Sequence, residues 1–525
     1  MDDTTPPPLS RPARVSLGAL SGLLAEYAAI AVAELAAAAV RPESGPVLAV
    51  GGAAIDRTPP AVKDWAIRRF GTDDKLVLQL GILTVLTLLA LALGVLAARW
   101  RRAGAGGVLA FGAVGAWAAV TRPDSTAPTD ALPSVVGAVT GAALLYLLVG
   151  RLPATPGRSA EPGLERRAFL VAAAAAAVAS TGAGVAGRVL GGTRGRSAVA
   201  SRDSVVLPAP VSKAAPVPGG AALRTGGVSP FTTPNEDFYR VDTALTVPKV
   251  DADGWRLRIH GKGVVRERVL SFADLLDMPL IERDITLTCV SNEVGGPYVG
   301  TARWTGVRLA DLLRRCGVKP PSEGGPADQL VARSVDGMTI GSPVEEVMDG
   351  RDALLAVGMN GQPLPFAHGF PVRMVVPGLY GYVSACKWIQ DIELTTFDAY
   401  DPYWVRRGWA RRAPVKTQSR IDTPRPFARP ESGTVVVAGV AWAQHRGIDK
   451  VEIRVDDGPW EETRLAAEDT RDTWRQWSYS WQAAKGGHTL TVRATDRTGE
   501  TQTGERASTL PDGASGWHSV VVTVD

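Results

Sequence analysis

Residues 76–98 read LVLQLGILTVLTLLALALGVLAA, a stretch with no charged side chain. A helix that is apolar all round is buried, either in a large protein core or in a membrane. About 20 apolar residues suffice to cross a hydrocarbon core of roughly 30 Å, so the length of this stretch favours a membrane. The sequence therefore predicts a transmembrane helix here and places the N-terminal part of the chain in a lipid bilayer.

Four more segments around this helix are long and apolar enough to be membrane spans. They cover residues 15–40, 103–121, 131–150 and 168–187. The first contains Glu26 and Glu34, which are costly in lipid and usually face the interior of a helix bundle. These carboxylates are candidates for a proton or quinone path, or simply for polar contacts between helices. We expect an all-α transmembrane domain over residues 1–190 with five spans, or with four if one assignment fails.

Basic residues in the short loops predict the orientation of these spans. They cluster in residues 99–102 and 151–167, whereas the loop 122–130 has one arginine and two aspartates. Because basic loops stay in the cytoplasm, we expect a cytoplasmic N-terminus and an external location for everything after residue 190. Residues 166–170 (RRAFL) resemble a twin-arginine export motif. Alternatively, the two arginines only anchor a helix at its inner end.

Composition excludes several classes of protein. The chain has 525 residues, 45% of them hydrophobic, which is enough to build cores and argues against general disorder. Three cysteines cannot form a disulfide scaffold. The net charge of +4 falls entirely in residues 1–190, with 17 basic against 13 acidic residues, and the rest is neutral with 40 of each. No nucleic-acid partner is expected from so small a net charge.

The part of the chain outside the membrane divides into three regions. Residues 191–229 are rich in Gly, Ser, Ala and Pro, which is typical of a flexible linker. Residues 230–420 mix strand patterns with short helices such as 308–317, which indicates an α+β domain. Residues 421–525 carry short strands and an Asp-Gly hairpin turn, and we expect an all-β immunoglobulin-like sandwich there.

A cysteine at the end of a predicted strand is the first chemical signal. Residues 286–293 read TLTCVSNE, so that Cys289 enters a turn marked by Ser and Asn. A lone cysteine can be a nucleophile, a metal ligand or an inert small hydrophobe. No second cysteine or histidine lies at zinc-site spacing. A thiolate also suits a soft metal site in which another molecule supplies the remaining donors.

Two further stretches combine glycines with cations. Residues 359–388 read MNGQPLPFAHGFPVRMVVPGLYGYVSACKW, and residues 235–242 read NEDFYRVD. Glycines permit the backbone to approach a ligand closely. Arg373 and Lys387 offer positive charges to a phosphate. Taken alone, these features indicate a weakly specified anion site.

Together, the three stretches resemble the molybdopterin-binding domain of the sulfite oxidase family. The resemblance covers about residues 230–420, and residues 421–525 are similar to the dimerisation domain of that family. It implies a molybdenum-molybdopterin cofactor in which the Cys289 thiolate ligates molybdenum and the pterin dithiolene provides two more sulfurs. The cofactor does the redox chemistry while the protein binds and orients it. No haem domain is recognisable, and no haem is expected in this chain.

The resemblance also implies which residues contact the cofactor. They are Phe238, Tyr239, Arg240, Val241, Asp242, Asp336, His368, Arg373, Ser384, Cys386 and Lys387. His368 and Arg373 match residues that hold the pterin and its phosphate. Asp336 is a looser match, and the loop with Ser384, Cys386 and Lys387 is one residue longer than in the family.

Two departures from the family concern the substrate. Sulfite oxidases carry an arginine five positions after the molybdenum cysteine, where this chain has Val294, and an active-site tyrosine where it has Trp409. Arg240 remains, so the catalytic candidates are Cys289, Arg240 and Trp409. Loss of a cation and a phenol weakens recognition of a small dianion such as sulfite.

The sequence predicts a membrane-anchored molybdenum oxidoreductase on the outer face of the cell membrane. It would transfer an oxygen atom to or from a small molecule, with sulfite oxidation as the family default. Alternatives are reduction of a sulfoxide or another oxo compound, and a non-catalytic membrane-tethered binding protein. Electrons would pass to an external cytochrome or quinone. The resemblance also suggests that two copies of the chain form a homodimer.

Overall fold

The computed structural model describes residues 11–59, 62, 69–70, 74–122, 125, 127–152 and 162–525. The chain divides into two compact units. The first comprises the described residues up to Ser197 together with Ala244–Thr246. The second comprises Ala198–Thr243 and Val247–Asp525.

The first unit is built from helices. Their bounds are α1 Arg11–Val40, α2 Pro46–Arg57, α3 Asp74–Arg99, α4 Arg101–Val120, α5 Leu132–Gly150 and α6 Pro162–Ser204, whose last turns belong to the second unit. Among the described residues, five segments are long and apolar enough to cross a membrane. They are Arg11–Val40, Leu76–Arg99, Arg101–Val120, Pro128–Gly150 and Arg167–Ser204. The expected five apolar helices are thus present, and α2 is an additional helix that the sequence did not predict.

Small residues let α1 pack directly against its neighbours. A Cβ atom added to Gly22 would lie 2.0 Å from the carbonyl oxygen of Ala90 in α3. One added to Gly137 in α5 would lie 2.6 Å from the carbonyl oxygen of Ala29. Helices in membranes associate through such close backbone approach, because lipid provides no hydrophobic force between them. Glycines and alanines of these apolar helices therefore permit close helix packing.

The two carboxylates in α1 have partners on neighbouring helices. The Glu26 side chain is hydrogen-bonded with Thr87 of α3, and Glu34 is close to Arg188 of α6. These are polar contacts between helices, one of the two roles expected for Glu26 and Glu34. The loop residues 153–161 and the side chain of Arg166, on which the orientation and export interpretations partly rest, lie outside the described residues.

The second unit begins with an α+β region, as expected for residues 230–420. Its strands are β1 Arg256–Gly261, β2 Arg268–Ser271, β3 Leu280–Thr288, β4 Val299–Arg308, β5 Gln329–Ser334, β6 Thr339–Pro343, β7 Leu354–Met359, β8 Gln362–Pro363, β9 Arg373–Val375 and β10 Ile389–Thr395. Its helices are α7 Phe272–Leu276, α8 Leu309–Arg315, α9 Val344–Met348 and α10 Gly381–Ser384. One sheet has the order β2-β1-β10-β5-β6, and the other has the order β3-β4-β7-β8 with β9 paired to β7.

Local sequence explains two features of this region. Ser271 caps α7 in a capping box with Asp274, which satisfies backbone N–H groups at the helix start. Strand β3 is buried over most of its length and pairs with β4 in a register that sets Thr288 opposite Val299. The chain therefore leaves β3 at Cys289 and returns to β4 through a loop at one end of a buried hairpin.

The last hundred residues form two antiparallel sheets around one core. The strands are β11 Gln418–Thr423, β12 Gly433–Trp442, β13 Ile448–Val455, β14 Glu461–Glu462, β15 Arg464–Leu465, β16 Arg475–Ala483, β17 Gly486–Asp496 and β18 His518–Val524. The sheet orders are β11-β12-β16-β15 and β14-β13-β17-β18. Buried residues of both sheets, such as Val437 and Val451, share this core. All-β structure is therefore confirmed, and we refer to these strands as the C-terminal sheets.

Residues 191–229 differ from the flexible linker that their composition indicates. Helix α6 covers the first part, and the remainder follows the surface of the second unit. The backbone N–H of Val211 donates to the Leu280 carbonyl over 2.8 Å. The backbone N–H of Leu223 donates to Gln476 Oε1 over 2.5 Å. The segment therefore binds both the α+β region and the C-terminal sheets, and these pairings satisfy backbone groups that are in neither a helix nor a sheet.

Candidate functional site

Cys289 lies in a tightly bonded loop at the end of β3. Its backbone N–H donates to the Tyr298 carbonyl over 2.9 Å, and its carbonyl accepts from Asn292 N over 3.1 Å. Asn292 Oδ1 accepts from Tyr298 N over 2.7 Å, which closes the loop from inside. The residue is 8% exposed, and burial raises the pKa of its thiol, partly opposed by hydrogen bonds with Ser291. A bound metal cation would favour the thiolate instead.

Aromatic rings form one wall beside this loop. The Phe238 ring stacks on Tyr239 at 5.2 Å between centroids and meets the edges of Trp304 at 5.8 Å and His368 at 5.6 Å. Burial and the charge of Cys289 raise the pKa of Tyr239, while Arg373 lowers it. Tyr239 is thus close enough to interact with both groups, so the structure brings these predicted residues together.

His368 is held as a neutral ring. Its Nε2 lies 2.9 Å from the carbonyl oxygen of Asn235, so Nε2 donates and the ring carries its proton there. Burial and the nearby Arg373 lower the pKa of His368 to about 4, with smaller effects from Lys387 and Arg240. The ring can therefore offer Nδ1 as an acceptor at neutral pH.

Arg373 is a buried cation with unused donor capacity. The side chain on β9 is 5% exposed, and its Nη1 donates to the His368 carbonyl over 3.2 Å. Its guanidinium lies over the Trp304 ring at 4.9 Å. Its Nε is buried without a hydrogen-bond partner among the described residues, and burial lowers the pKa of Arg373 to about 10. An orphaned buried donor on a cation fits the phosphate of a molybdopterin.

Ion pairs connect the two predicted cofactor loops. Lys387 Nζ lies 2.8 Å from Asp242 Oδ2, and Arg240 Nε lies 3.6 Å from the same oxygen. Lys387 also donates to the Ala367 carbonyl over 3.2 Å. Asp242 is therefore a shared anion that fixes two cations beside His368. Arg240 is the more open of the two cations, since its side chain is 39% exposed.

The remaining predicted cofactor residues have mainly local partners. Ser384 donates to the carbonyls of Leu379 and Tyr380, each over 3.0 Å, so its hydroxyl serves the loop itself. Asp336 Oδ1 accepts from Met338 N over 3.2 Å within a turn. Burial and the charge of Asp336 raise the pKa of Cys386. The exposed Val241 offers no polar group.

A second aromatic group surrounds Trp409, and its other members were not predicted as site residues. The Tyr382 ring lies 5.6 Å from Trp409, and Trp404 lies 6.3 Å from Trp409 on another side. The Tyr382 hydroxyl donates to the Ala410 carbonyl over 2.7 Å. Burial raises the pKa of Tyr380 to about 12, with smaller contributions from Asp512 and Cys289. The Tyr-Gly-Tyr sequence at 380–382 is the feature from which part of this aromatic group could have been predicted.

The described residues contain no group of three or more His, Cys, Asp or Glu side chains that could hold a metal ion. A metal at Cys289 must therefore obtain most of its ligands from another molecule. A dithiolene cofactor provides such ligands as soft sulfur donors, which match a thiolate.

Comparisons with known proteins agree with this chemistry. Residues 244–404 match the family model described as the oxidoreductase molybdopterin binding domain. The mitochondrial sulfite oxidase of Homo sapiens is 31% identical over 303 residues, which cover 50% of this chain and 55% of that protein. The chain thus spans about half the length of the curated relatives it matches.

Two further similarities concern a bacterial protein and a solved structure. The uncharacterized oxidoreductase YuiH of Bacillus subtilis (strain 168) is 30% identical over 189 residues, covering 36% of this chain and 89% of that protein. The crystal structure of the sulfane dehydrogenase SoxCD from Paracoccus pantotrophus is similar with 25% identity and a TM-score of 0.46. That match covers 52% of this chain and 75% of the other.

Proposed function

The chain belongs to the sulfite oxidase family of molybdopterin-dependent oxidoreductases, and on this premise we propose that it is a membrane-anchored oxygen-atom transferase that works on the outer face. The observation that carries the proposal is the grouping of Cys289, Arg373 and His368 in one buried site. A thiol, an incompletely bonded guanidinium and a neutral imidazole are the groups that such a cofactor requires.

The residues would share the work of holding molybdenum-molybdopterin. Cys289 would be the only protein ligand of the metal. Arg373 and Lys387 would bind the phosphate, and the neutral His368 would accept a hydrogen bond from the pterin. When bound, the cofactor supplies two-electron oxygen-atom transfer. Tyr239 would help exclude water between the thiolate and Arg373, because its half-buried ring packs against the core there.

Sulfite oxidation is the family default, and Arg240 is the open cation that would face the anion. A second candidate reaction is reduction of a neutral organic sulfoxide. The aromatic group of Tyr382, Trp404 and Trp409 favours it, because rings bind an apolar substituent better than they bind a dianion. Val294, at the position where sulfite oxidases carry an arginine, provides no positive charge for a dianion.

The electron partner would be external to the chain. We infer that an outer-face cytochrome or a quinone exchanges electrons with the site, and that the five apolar helices anchor the enzyme. The immunoglobulin-like nature of the C-terminal sheets and a homodimer through them belong to the same proposal. A non-catalytic binding protein is less consistent with the site, since it would not need the Cys289 thiol beside an incompletely bonded, buried guanidinium.

The test uses the full chain purified in detergent from a host that makes the cofactor. We expect near-stoichiometric molybdenum in the wild type and its loss in Cys289→Ser. Cys316→Ser is the matched control, because Cys316 is also buried but lies at the C-cap of α8 in the core. Wild-type protein without molybdenum, or an unchanged metal content in Cys289→Ser, would refute the proposal.

The direction of the reaction needs a second assay on the same protein. Rapid reduction of the loaded enzyme by sulfite would support sulfite oxidation. Oxidation of reduced methyl viologen by methyl p-tolyl sulfoxide, without a response to sulfite, would support the sulfoxide reaction.

A further inference from the structure

The strand that presents Cys289 is bonded to the C-terminal sheets. Gln444, which follows β12, donates from Nε2 to the Thr286 carbonyl over 3.1 Å and to Thr288 Oγ1 over 2.8 Å. The backbone N–H of Trp474 donates to Thr286 Oγ1 over 2.7 Å. Thr288 immediately precedes Cys289, so these bonds act on the last residues of β3.

The far end of the loop 289–298, here called the cysteine loop, is bonded to the same sheets. Arg420 of β11 donates from Nη1 to the Gly296 carbonyl over 2.8 Å. Its guanidinium is itself fixed by Asp422 Oδ1 at 2.6 Å and by Ser229 Oγ at 2.9 Å. The side chain is 8% exposed and therefore has little freedom to move.

His518 of β18 covers the neighbouring residue of that loop. Gly295 has a φ of +78°, and a Cβ atom added to it would lie 2.2 Å from His518 Cδ2. His518 Nδ1 accepts from the Ile421 N–H over 3.0 Å, which fixes the ring. The loop between Cys289 and β4 is thus bounded at both ends by side chains of the C-terminal sheets.

Gln444 occupies a core position at a cost in stability. The residue is 1% exposed, and its Oε1 is buried without a hydrogen-bond partner in the part of the chain that the structure describes. A buried acceptor without a partner destabilises a protein, whereas an apolar side chain of similar shape avoids that cost. The retained amide is explained if its two hydrogen bonds to β3 have a role beyond stability.

We propose that the C-terminal sheets fix the position of the Cys289 sulfur, with Gln444 and Arg420 as positioning residues that act from opposite ends of the loop. The inference rests on the proposed function, in which Cys289 is the sole protein ligand of molybdenum. Groups that orient a ligand tune the metal as well as its retention. The sheets would therefore be part of the active-site scaffold.

The experiment compares molybdenum-loaded full-length variants by electron paramagnetic resonance of Mo(V) after partial reduction with dithionite. We expect Gln444→Met and Arg420→Gln to broaden or shift the spectrum and to lose molybdenum at least ten times faster on dialysis. Arg420→Lys keeps the charge and should restore most of the wild-type spectrum.

Matched controls separate positioning from loss of stability. Gln502→Met removes another buried amide of the C-terminal sheets, and Arg475→Gln removes another arginine; both residues bond only to groups outside β3 and the cysteine loop in the described structure. We expect lower melting temperatures in the controls with an unchanged spectrum.

The outcomes are distinguishable. A wild-type spectrum in both Gln444→Met and Arg420→Gln would overturn the inference and leave the proposed function intact. Wild-type protein without molybdenum would overturn the proposed function itself. If Arg420→Gln does not fold, Gln444→Met decides alone, because a wild-type spectrum and a wild-type rate of metal loss in that variant contradict the inference.

Discussion

Replacing Arg373 with methionine should stabilise the protein without cofactor while weakening cofactor binding. Burial lowers the pKa of Arg373 from 12.5 to about 10. That difference corresponds to about 3 kcal/mol against the charged guanidinium. The substitution also removes the hydrogen bond to the His368 carbonyl, worth about 1 kcal/mol, and the contact with the Trp304 ring, also worth about 1 kcal/mol. The net expectation is a gain of about 1 kcal/mol in the free energy of unfolding.

The effect on the loaded enzyme has the opposite sign. Two charge-assisted hydrogen bonds from the guanidinium to a phosphate would contribute about 1.5–3 kcal/mol each. Their loss lowers the affinity for the cofactor by about 10² to 10⁴. The Arg373→Met protein should therefore lose molybdenum and pterin during purification, although its apo form folds at least as well as the wild type.

The assay is unfolding of the full chain by guanidinium chloride in detergent, monitored by tryptophan fluorescence. The protein is produced in a host that cannot make the cofactor. Arg351→Met is the control, because Arg351 pairs with Asp349 at 2.7 Å and its loss should destabilise. A less stable apo Arg373→Met, or wild-type cofactor content in that variant, would refute an anion site at Arg373.

Three further predictions concern charge and the substrate. Burial and Asp284 raise the pKa of Asp469 to about 6, so its carboxylate costs stability above that pH, and Asp469→Asn should gain about 1 kcal/mol at pH 8. This gain over the wild type should vanish at pH 4. A difference in unfolding midpoint between variant and wild type that is the same at pH 4 and pH 8 would contradict the prediction. Burial would raise the pKa of the Asp496 carboxyl, but hydrogen bonds from Thr498 and Arg446 outweigh it and lower the pKa to about 2, so the stabilisation by Asp496 persists at neutral pH and is lost as pH falls from about 4 to 2. Asp496→Asn should flatten that acid transition in denaturant titrations, and an unchanged slope would count against it. Trp409→Tyr restores a phenol and should speed sulfite-dependent reduction about tenfold in stopped-flow traces, the worth of one hydrogen bond; no change would favour the sulfoxide reaction.

Much of the architecture could be predicted because it depends on local patterns. The charge-free stretches fixed the five apolar helices, and the change to strand patterns after residue 230 located the α+β region and the C-terminal sheets. Helix α2 was missed, since Pro46–Arg57 is short and lies in a segment with many charges. Composition also misled over 205–229, where partners on distant strands, such as Leu280, order a segment that has no pattern of its own.

The candidate site also contains residues that a local sequence pattern predicts and residues that it does not. Cys289, His368 and Arg373 lie within motifs, so family resemblance located them. Gln444 and Arg420 lie more than a hundred residues from the loop they bond, and a single buried amide or arginine in a strand has no sequence signature. The contact of Ser384 with the cofactor, which its place in a motif implies, stays a prediction; in the structure its hydroxyl donates to the adjacent backbone.

The ordered segment 205–229 changes where a water-soluble fragment of this enzyme should begin. Cutting at residue 230 would remove the apolar helices but would leave the Leu280 carbonyl and Gln476 Oε1 without their partners on Val211 and Leu223. It would also remove Ser229, which helps fix Arg420. A fragment that starts near Ala198 keeps all of these bonds and should therefore be the more stable of the two.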